Sequence, residues 1–290
     1  MLIVSSLVSG LGLGAMYGLI ALGYHVTFAV SRTVNFAQGS AMMLGAVLGY
    51  VFVVRWGWPA WIGAPAALAI CGLFGLLVER ILVRPFTSRG SESWLMATVA
   101  GGLVLENAAM FLFGKEPRSF PSPLAVKPVE IFGAGIYPLQ LVIPVVGIGI
   151  AVLLHLLTRR TAYGRALLAV VQNPMAAQLM WINVRQAIAL SFAASTVLAG
   201  IAGLLIAPLF SVTAEMGTLF GIKAFAVAIV GGIGSAPGVV VAGLAYGIVE
   251  ALATALIGSA STQIVVFATV ILSLALRPNG LFGAATLRKV

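Results

Sequence analysis

The chain has 290 residues, of which 61% are hydrophobic and only 8% charged, with a formal net charge of +9. A soluble domain carries about 25% charged residues, so this composition excludes a soluble globular protein and describes a polytopic membrane protein. The basic residues fall in short connections between apolar runs, which is the positive-inside pattern of an oriented membrane chain and not a nucleic-acid surface. Cys71 is the single cysteine, so an internal disulfide and a thiolate metal cluster are excluded. The seven acidic residues are all Glu, which removes most routes to Mg²⁺ or Ca²⁺ chemistry.

Met1 to Gly10 has no positive leader and no small-residue cleavage site, so it reads as the start of a first membrane helix, from about Leu2 to Val30. Gly10, Gly14 and Gly18 recur there at four-residue spacing, which lets a second helix approach closely. A polar break, Ser31 to Ser40, precedes the run Ala41 to Val54, and its Asn35 and Gln38 carry amide groups able to bond a substrate or freed backbone. The run from about Trp58 to Val78 leads to Glu79, Arg80, Arg84 and Arg89, a basic loop expected on the cytoplasmic side. Trp94 to Phe113 follows and contains Glu106 beside Asn107; an ionisable residue within a span is by default a functional candidate.

Residues 114–137 form the longest polar connection, nearly balanced in charge and rich in proline, and are expected on the outer side. The run Pro138 to Leu157 returns to a basic connection, residues 159–186, with Arg159, Arg160, Arg165 and Arg185. Within it, Leu168, Val171, Met175, Leu179 and Ile182 recur at spacings of three and four, as on one face of an amphipathic helix. Asn173-Pro174 suits the start of a second short helix reaching Trp181. Such an element either lies on the membrane or docks into another protein's groove.

The run Ala187 to Leu209 is followed by a short outer loop with Glu215, then by an apolar run from about Phe220 to Val249 that contains Lys223. That run is broken by Gly231-Gly232-Ile233-Gly234-Ser235-Ala236-Pro237-Gly238. Glycine costs a helix about 1 kcal/mol and proline about 3 kcal/mol, so an uninterrupted span is not expected here. Backbone that leaves helical geometry at membrane depth is buried in protein or faces water. Glu250 lies beyond the break, and a last run, Thr262 to Leu276, ends at Arg277, with Arg288 and Lys289 placing the C-terminus on the cytoplasmic side. The expected fold is therefore all-α and polytopic, a single domain over 1–290 with about eight membrane segments, one of them short and broken or re-entrant. Counting back, the N-terminus is expected outside if residues 222–233 re-enter without crossing.

Catalytic signatures are absent. There is no Gly-x-x-x-x-Gly-Lys-[Ser/Thr] for nucleotide and no His-Glu-x-x-His, and His25 and His155 are solitary, so no catalytic, cofactor or metal residue is expected in this chain. The two interruptions, Asn35–Ser40 and Gly231–Gly238, sit in the two halves of the chain, the arrangement of transporters that bind substrate where two broken helices meet. On that reading Asn35, Gln38, Ser40, Glu106, Asn107, Gly234 and Ser235 line a pathway, with Gly234 and Ser235 at a half-helix junction at mid-depth. Half-helix N-termini at about Gln38 and Ala236 would suit a substrate carboxylate. An ion-coupled carrier using Glu106 or Glu250 as a proton site is the alternative.

Gly10-x-Gly-x-Gly14-Ala-Met-Tyr17, Gly23-Tyr24 and Val34-Asn35-Phe36-Ala37-Gln38-Gly39 resemble the start of the LivH-type permeases of branched-chain amino-acid ABC importers. Glu79-Arg80 with Arg84-Pro85, Lys223-Ala224-Phe225, Val230 to Gly238, Gly247-Ile-x-Glu250 and Arg277-Pro278-x-Gly280-Leu281-Phe282-Gly283 extend that resemblance over nearly the whole chain. It implies a bacterial inner-membrane importer working by alternating access. A second homologous permease, two cytoplasmic ABC ATPases that handle the ATP, and an extracytoplasmic substrate-binding protein complete it. It also implies that Arg165, Met175, Ala176, Ala177, Leu179 and Trp181 form the ATPase-coupling region. Met175 and Trp181 stand there where the importers' pattern has Glu and Gly.

Overall fold

The structure, a computed structural model, describes residues 2–283 apart from 126, 132 and 133; Arg288 and Lys289 lie outside the described residues. Twelve helices run in the order α1 Leu2–Ser31, α2 Gln38–Gly49, α3 Ala60–Leu77, α4 Arg84–Thr87, α5 Trp94–Phe113, α6 Pro138–Arg160, α7 Ala162–Gln172, α8 Pro174–Leu179, α9 Val184–Ile206, α10 Met216–Gly231, α11 Ala236–Ile257 and α12 Ser259–Leu276. Single π-type turns extend α2 over Tyr50–Arg55 and α3 over Val78–Val83. Among the described residues eight helices are long and apolar enough to cross a membrane, and α10 is too short to do so, in agreement with the expected segment count. The expected all-α architecture carries one addition, a small antiparallel hairpin of Val129–Ile131 and Ala134–Ile136 in the connection before α6.

Helix α1 is the central post. It packs antiparallel to α11 with glycine on glycine: a Cβ at Gly14 would lie 2.6 Å from Gly243 O, and one at Gly10 would lie 2.8 Å from Gly247 O. Lipid gives no hydrophobic drive between helices, so backbone approach of this kind supplies the packing energy in its place. Met16, Tyr17, Leu19, Ile20 and Tyr24 of α1 are buried in the main core with Met42, Met43 and Ala46 of α2, and Leu198, Ala202 and Ile206 of α9. Helix α6 shows the opposite character. Val145, Val152 and Leu153 on it are exposed, a surface suited to hydrocarbon.

The two ends of the bundle are distinct. At one end Arg159, Leu168, Ser235 and Phe282 border a common cleft, so the basic connection, the α10–α11 turn and the final segment share it. At the other end residues 114–118 meet residues 212–214, through the backbone pairing of Arg118 with Val212, while the Arg118 guanidinium lies 5.7 Å from the centre of the Tyr50 ring. Trp56 and Trp58 sit at this second end against Phe52, as aromatic residues do at a membrane interface. The N-terminus of α1 lies at the end opposite the arginines, since Val30 near its C-terminus packs on Val170 of α7.

Near the arginine-rich end Glu79 is buried in the π turn and receives Arg84 in two parallel hydrogen bonds, Nε to Oε1 at 3.0 Å and Nη2 to Oε2 at 2.7 Å. This fork geometry is the strong form of an Arg–carboxylate contact and ties α4 to the end of α3.

Candidate functional site

Two helices begin inside the protein, not at its surface. The chain leaves α1 at Ser31, turns through residues 32–37, and starts α2 at Gln38, fully buried opposite Ser195 near the middle of α9. The turn is made locally: Asn35 Oδ1 accepts from Ala37 N at 3.1 Å and Asn35 O accepts from Gln38 N at 3.1 Å. The Gln38 amide then locks the break to its neighbours, donating through Nε2 to Ser195 O at 2.8 Å and accepting from Ser195 Oγ through Oε1 at 2.8 Å. Gln38 is therefore spent on its neighbours and Asn35 Oδ1 on freed backbone, as irregular chain at membrane depth requires, while the buried Asn35 Nδ2 has no protein partner among the described residues.

Helix α10 starts at the same depth. A Cβ at Gly217 would lie 2.7 Å from Glu106 Oε1 and 2.8 Å from Gly39 O, and one at Gly39 would lie 2.8 Å from Gly221 Cα. The first turns of α2 and α10 thus meet with only glycine between them, and from there α2 runs to one end of the bundle and α10 to the other. Glu106 of α5 is buried at this meeting point and bonds both helices. Ser40 Oγ donates to Oε1 at 3.0 Å and Thr218 Oγ1 donates to Oε2 at 2.7 Å. Ser40 and Thr218 are each the third residue of their helix, where a carboxylate is favoured by the positive end of the macrodipole. The carboxylate expected from a substrate at this junction is supplied by the protein itself.

A cavity of about 270 Å³ opens beside the junction. Ser40 and Thr218 face it together with Tyr24, Phe36, Leu103 and Phe225. Phe36 and Tyr24 both pack on the Phe225 ring, at 5.0 and 5.5 Å between centroids. The cavity therefore has aromatic and aliphatic walls and one hydroxyl-bearing floor, the mixture of an orienting polar set within an apolar pocket.

Of the residues expected to line one pathway, the structure brings together Ser40 and Glu106, with Asn35 and Gln38 just behind them. Asn107 turns away: it is exposed and its Nδ2 donates to Leu103 O one helical turn back. Gly234 and Ser235 sit elsewhere than the expected mid-depth junction. They lie at the arginine-rich end, bordering the cleft with Arg159, and are not among the residues lining the cavity at Ser40. The physical reason is that Gly231–Gly238 is a helix hairpin. Gly232 takes φ +85, Ser235 caps α11 by accepting from Gly238 N, and Pro237 occupies the first turn of α11, where it displaces no helical hydrogen bond. Its free carbonyls are taken by the chain's last described segment, with Leu281 N donating to Val230 O at 2.7 Å and Phe282 N to Gly231 O at 3.3 Å. The partner of the first break is the start of α10. Thr218 was missed because an outer loop was expected to run through it, whereas the helix already begins at Met216 and makes Thr218 its third residue, matching Ser40.

The second intramembrane acid, Glu250, is paired. Lys223 of α10 donates to Glu250 Oε1 at 2.5 Å, with both side chains buried, and its Nζ lies 6.0 Å from the Tyr17 ring centre. A proton-carrying carboxylate of the ion-coupled alternative thus finds Glu250 neutralised by lysine and Glu106 bonded at both oxygens.

At the arginine-rich end the basic connection folds as two short helices. Asn173 ends α7 and caps α8, its Oδ1 accepting from Met175 N and Ala176 N at 3.1 Å each, as its place before Pro174 predicts. Ala177 faces inward and is buried with Val170, Val30 and Ala187. Met175 is 75% exposed, Leu179 80% and Trp181 98%; Arg165 and Ala176 are exposed as well. The expected coupling set is thus split, with Ala177 serving the fold and the others facing outward. Trp181 has φ +61, in the left-handed region that favours glycine. A glycine in the importers' pattern fits this position, and here a tryptophan is held in it.

Residues 6–274 match the family described as "Branched-chain amino acid transport system / permease component". The high-affinity branched-chain amino acid transport system permease protein LivH of Escherichia coli (strain K12) is 31% identical, covering 97% of this chain and 96% of that protein. The corresponding permease protein BraD of Pseudomonas aeruginosa is 30% identical over 98% and 97%. A solved structure described as PsaBC from Streptococcus pneumoniae in complex with Fab shares the fold, with TM-score 0.51 at 12% identity, covering 96% of this chain and 92% of that one. With its paired helix breaks and its match along nearly its full length, the chain belongs to the permease-component family of branched-chain amino acid transport systems.

Proposed function

We propose that this chain is one membrane permease of an ATP-driven importer of branched-chain or related amino acids, working by alternating access across a bacterial inner membrane. The arginine-rich end, with the C-terminus, faces the cytoplasm. A second homologous permease completes the pathway beside the open cavity at Ser40 and Thr218, an extracytoplasmic binding protein delivers substrate to the opposite end, and two ATPase subunits bind and hydrolyse the ATP.

The observation that carries this reading is the outward face of α8 and the turn that follows it. Met175, Leu179, Met180 and Trp181 are each at least 75% exposed on a capped, folded element at the basic end. A contiguous apolar patch on a folded surface marks a docking site, and Met and Trp are the side chains that anchor protein interfaces. The test is co-purification of the ATPase subunits with the permease. Leu179→Asp is expected to abolish co-purification and uptake together while the permease still reaches the membrane. ATPase retained at the unmutated level, or uptake that persists without any ATPase subunit, would sink the assignment.

A further inference from the structure

We infer that Glu106, acting through Ser40 and Thr218, makes the cavity a receptor for the ammonium end of an apolar amino acid, so that it is a specificity-determining residue of the pathway. This rests on the cavity being the pathway proposed above. A hydroxyl has one proton to donate and two lone pairs to accept with. The Ser40 and Thr218 protons are both committed to Glu106, at 3.0 and 2.7 Å. What remains toward the cavity that both residues line is acceptor capacity only. The carboxylate behind them adds a negative charge that no cation neutralises: among the described residues the ion pairs are Arg84–Glu79 and Lys223–Glu250, and neither involves Glu106. Among the remaining walls, Tyr24, Phe36 and Phe225 offer aromatic surface, which also attracts a cation, and Val99, Leu103 and Ile222 accept an apolar side chain. A substrate carboxylate meets the reverse conditions, because the positive first turns of α2 and α10 are already satisfied by Glu106.

The test uses the assembled transporter in proteoliposomes without binding protein, on a Cys71→Ser background. Leu103→Cys or Ile222→Cys places a thiol at the half-exposed rim of the cavity, and its alkylation by a small neutral maleimide is timed during ATP turnover. The probes are leucine, 3-methylbutylamine (an ammonium without carboxylate) and 4-methylpentanoate (a carboxylate without ammonium). Leucine and the amine are expected to slow alkylation and the acid to leave it unchanged. Adding Glu106→Gln, which keeps the shape but not the charge, is expected to weaken protection by the amine about tenfold, the order of one partly screened through-space charge interaction. Thr218→Val, which removes one acceptor and leaves Glu106 in place, is expected to weaken it by a smaller factor. Should Glu106→Gln fail to assemble, the Thr218→Val result and the amine-against-acid contrast in the unmutated pathway decide the matter.

Protection by the acid in place of the amine, or amine protection unchanged in both variants, overturns the inference while leucine protection keeps the pathway reading intact. If leucine alters alkylation at neither thiol, or neither thiol reacts, the cavity is not on the pathway and both readings fall.

Discussion

The two glycine-bearing interruptions of this chain look alike in sequence and do opposite things. Around Gly39 and Gly217 the glycines let two helix ends meet inside the protein, and polar side chains fill the junction: Ser40, Thr218 and Glu106 bond one another there. Around Gly231 and Gly238 the glycines let two helices close into a hairpin, and backbone fills the space: a Cβ at Gly231 would lie 2.6 Å from Gly238 O. Density of glycine and proline therefore marks close approach of backbone, whether at a site or at a simple turn. What separates the two is the presence of a buried charge. Helix breaks with an acid between them build a chemical environment, and breaks packed on carbonyls build a shape.

Variants can sharpen or break this contrast. The largest effect is expected at Lys223, whose removal leaves Glu250 buried and unpaired: Lys223→Met should destabilise the permease by about 3–5 kcal/mol. Thermal melting in detergent checks this, and the double variant with Glu250→Leu should recover most of the loss; no recovery would show that the two residues act separately. Ser40→Ala removes one of two bonds to Glu106 at the junction, with an expected cost of about 1–3 kcal/mol for the buried acceptor left without its donor. Uptake should fall with it, and Ser40→Thr should restore both. Trp181→Gly is expected to stabilise the isolated permease by about 1 kcal/mol by relieving left-handed backbone, and yet to weaken co-purification of the ATPase; a variant that is neither more stable nor weaker in binding would remove any role from that strained tryptophan. The smallest effect belongs to the hairpin tip. A Cβ at Gly234 meets nothing within 4 Å, so Gly234→Ala should change stability by no more than about 0.5 kcal/mol and leave uptake intact. Loss of uptake there would return the hairpin to the pathway and erase the contrast.

Hydrophobic run lengths made most of the fold readable, because a bilayer of fixed thickness dictates helix length and charge-free composition. The spacing of Gly10, Gly14 and Gly18 likewise pointed to the close pairing now seen with Gly243 and Gly247. Asn173-Pro174 announced a helix start, and Asn173 caps it. The site was only half legible. Glu106 and Ser40 stood out as polar residues where lipid was expected, but Thr218 falls where an outer loop was expected, and only its contact 112 residues away gives it a role. Lys223 and Glu250 were each visible, and their pairing was not, since nothing in a linear pattern says which turn of α10 faces which turn of α11. Gly231–Gly238 was expected at mid-depth because glycine density reports proximity without naming the neighbour, which here includes Asn279 and Gly283.

Helix α10 is fastened at two points five residues apart, Thr218 to α5 through Glu106 and Lys223 to α11 through Glu250. The fastenings are unequal. The first is a hydroxyl at a glycine-lined surface beside open space; the second is a salt link closed off by Tyr17. One is a joint and the other a weld, since a hydroxyl alone holds α10 to α5 and an ion pair holds it to α11. Sliding α10 against α5 therefore breaks one hydroxyl bond, whereas sliding it against α11 separates a buried ion pair.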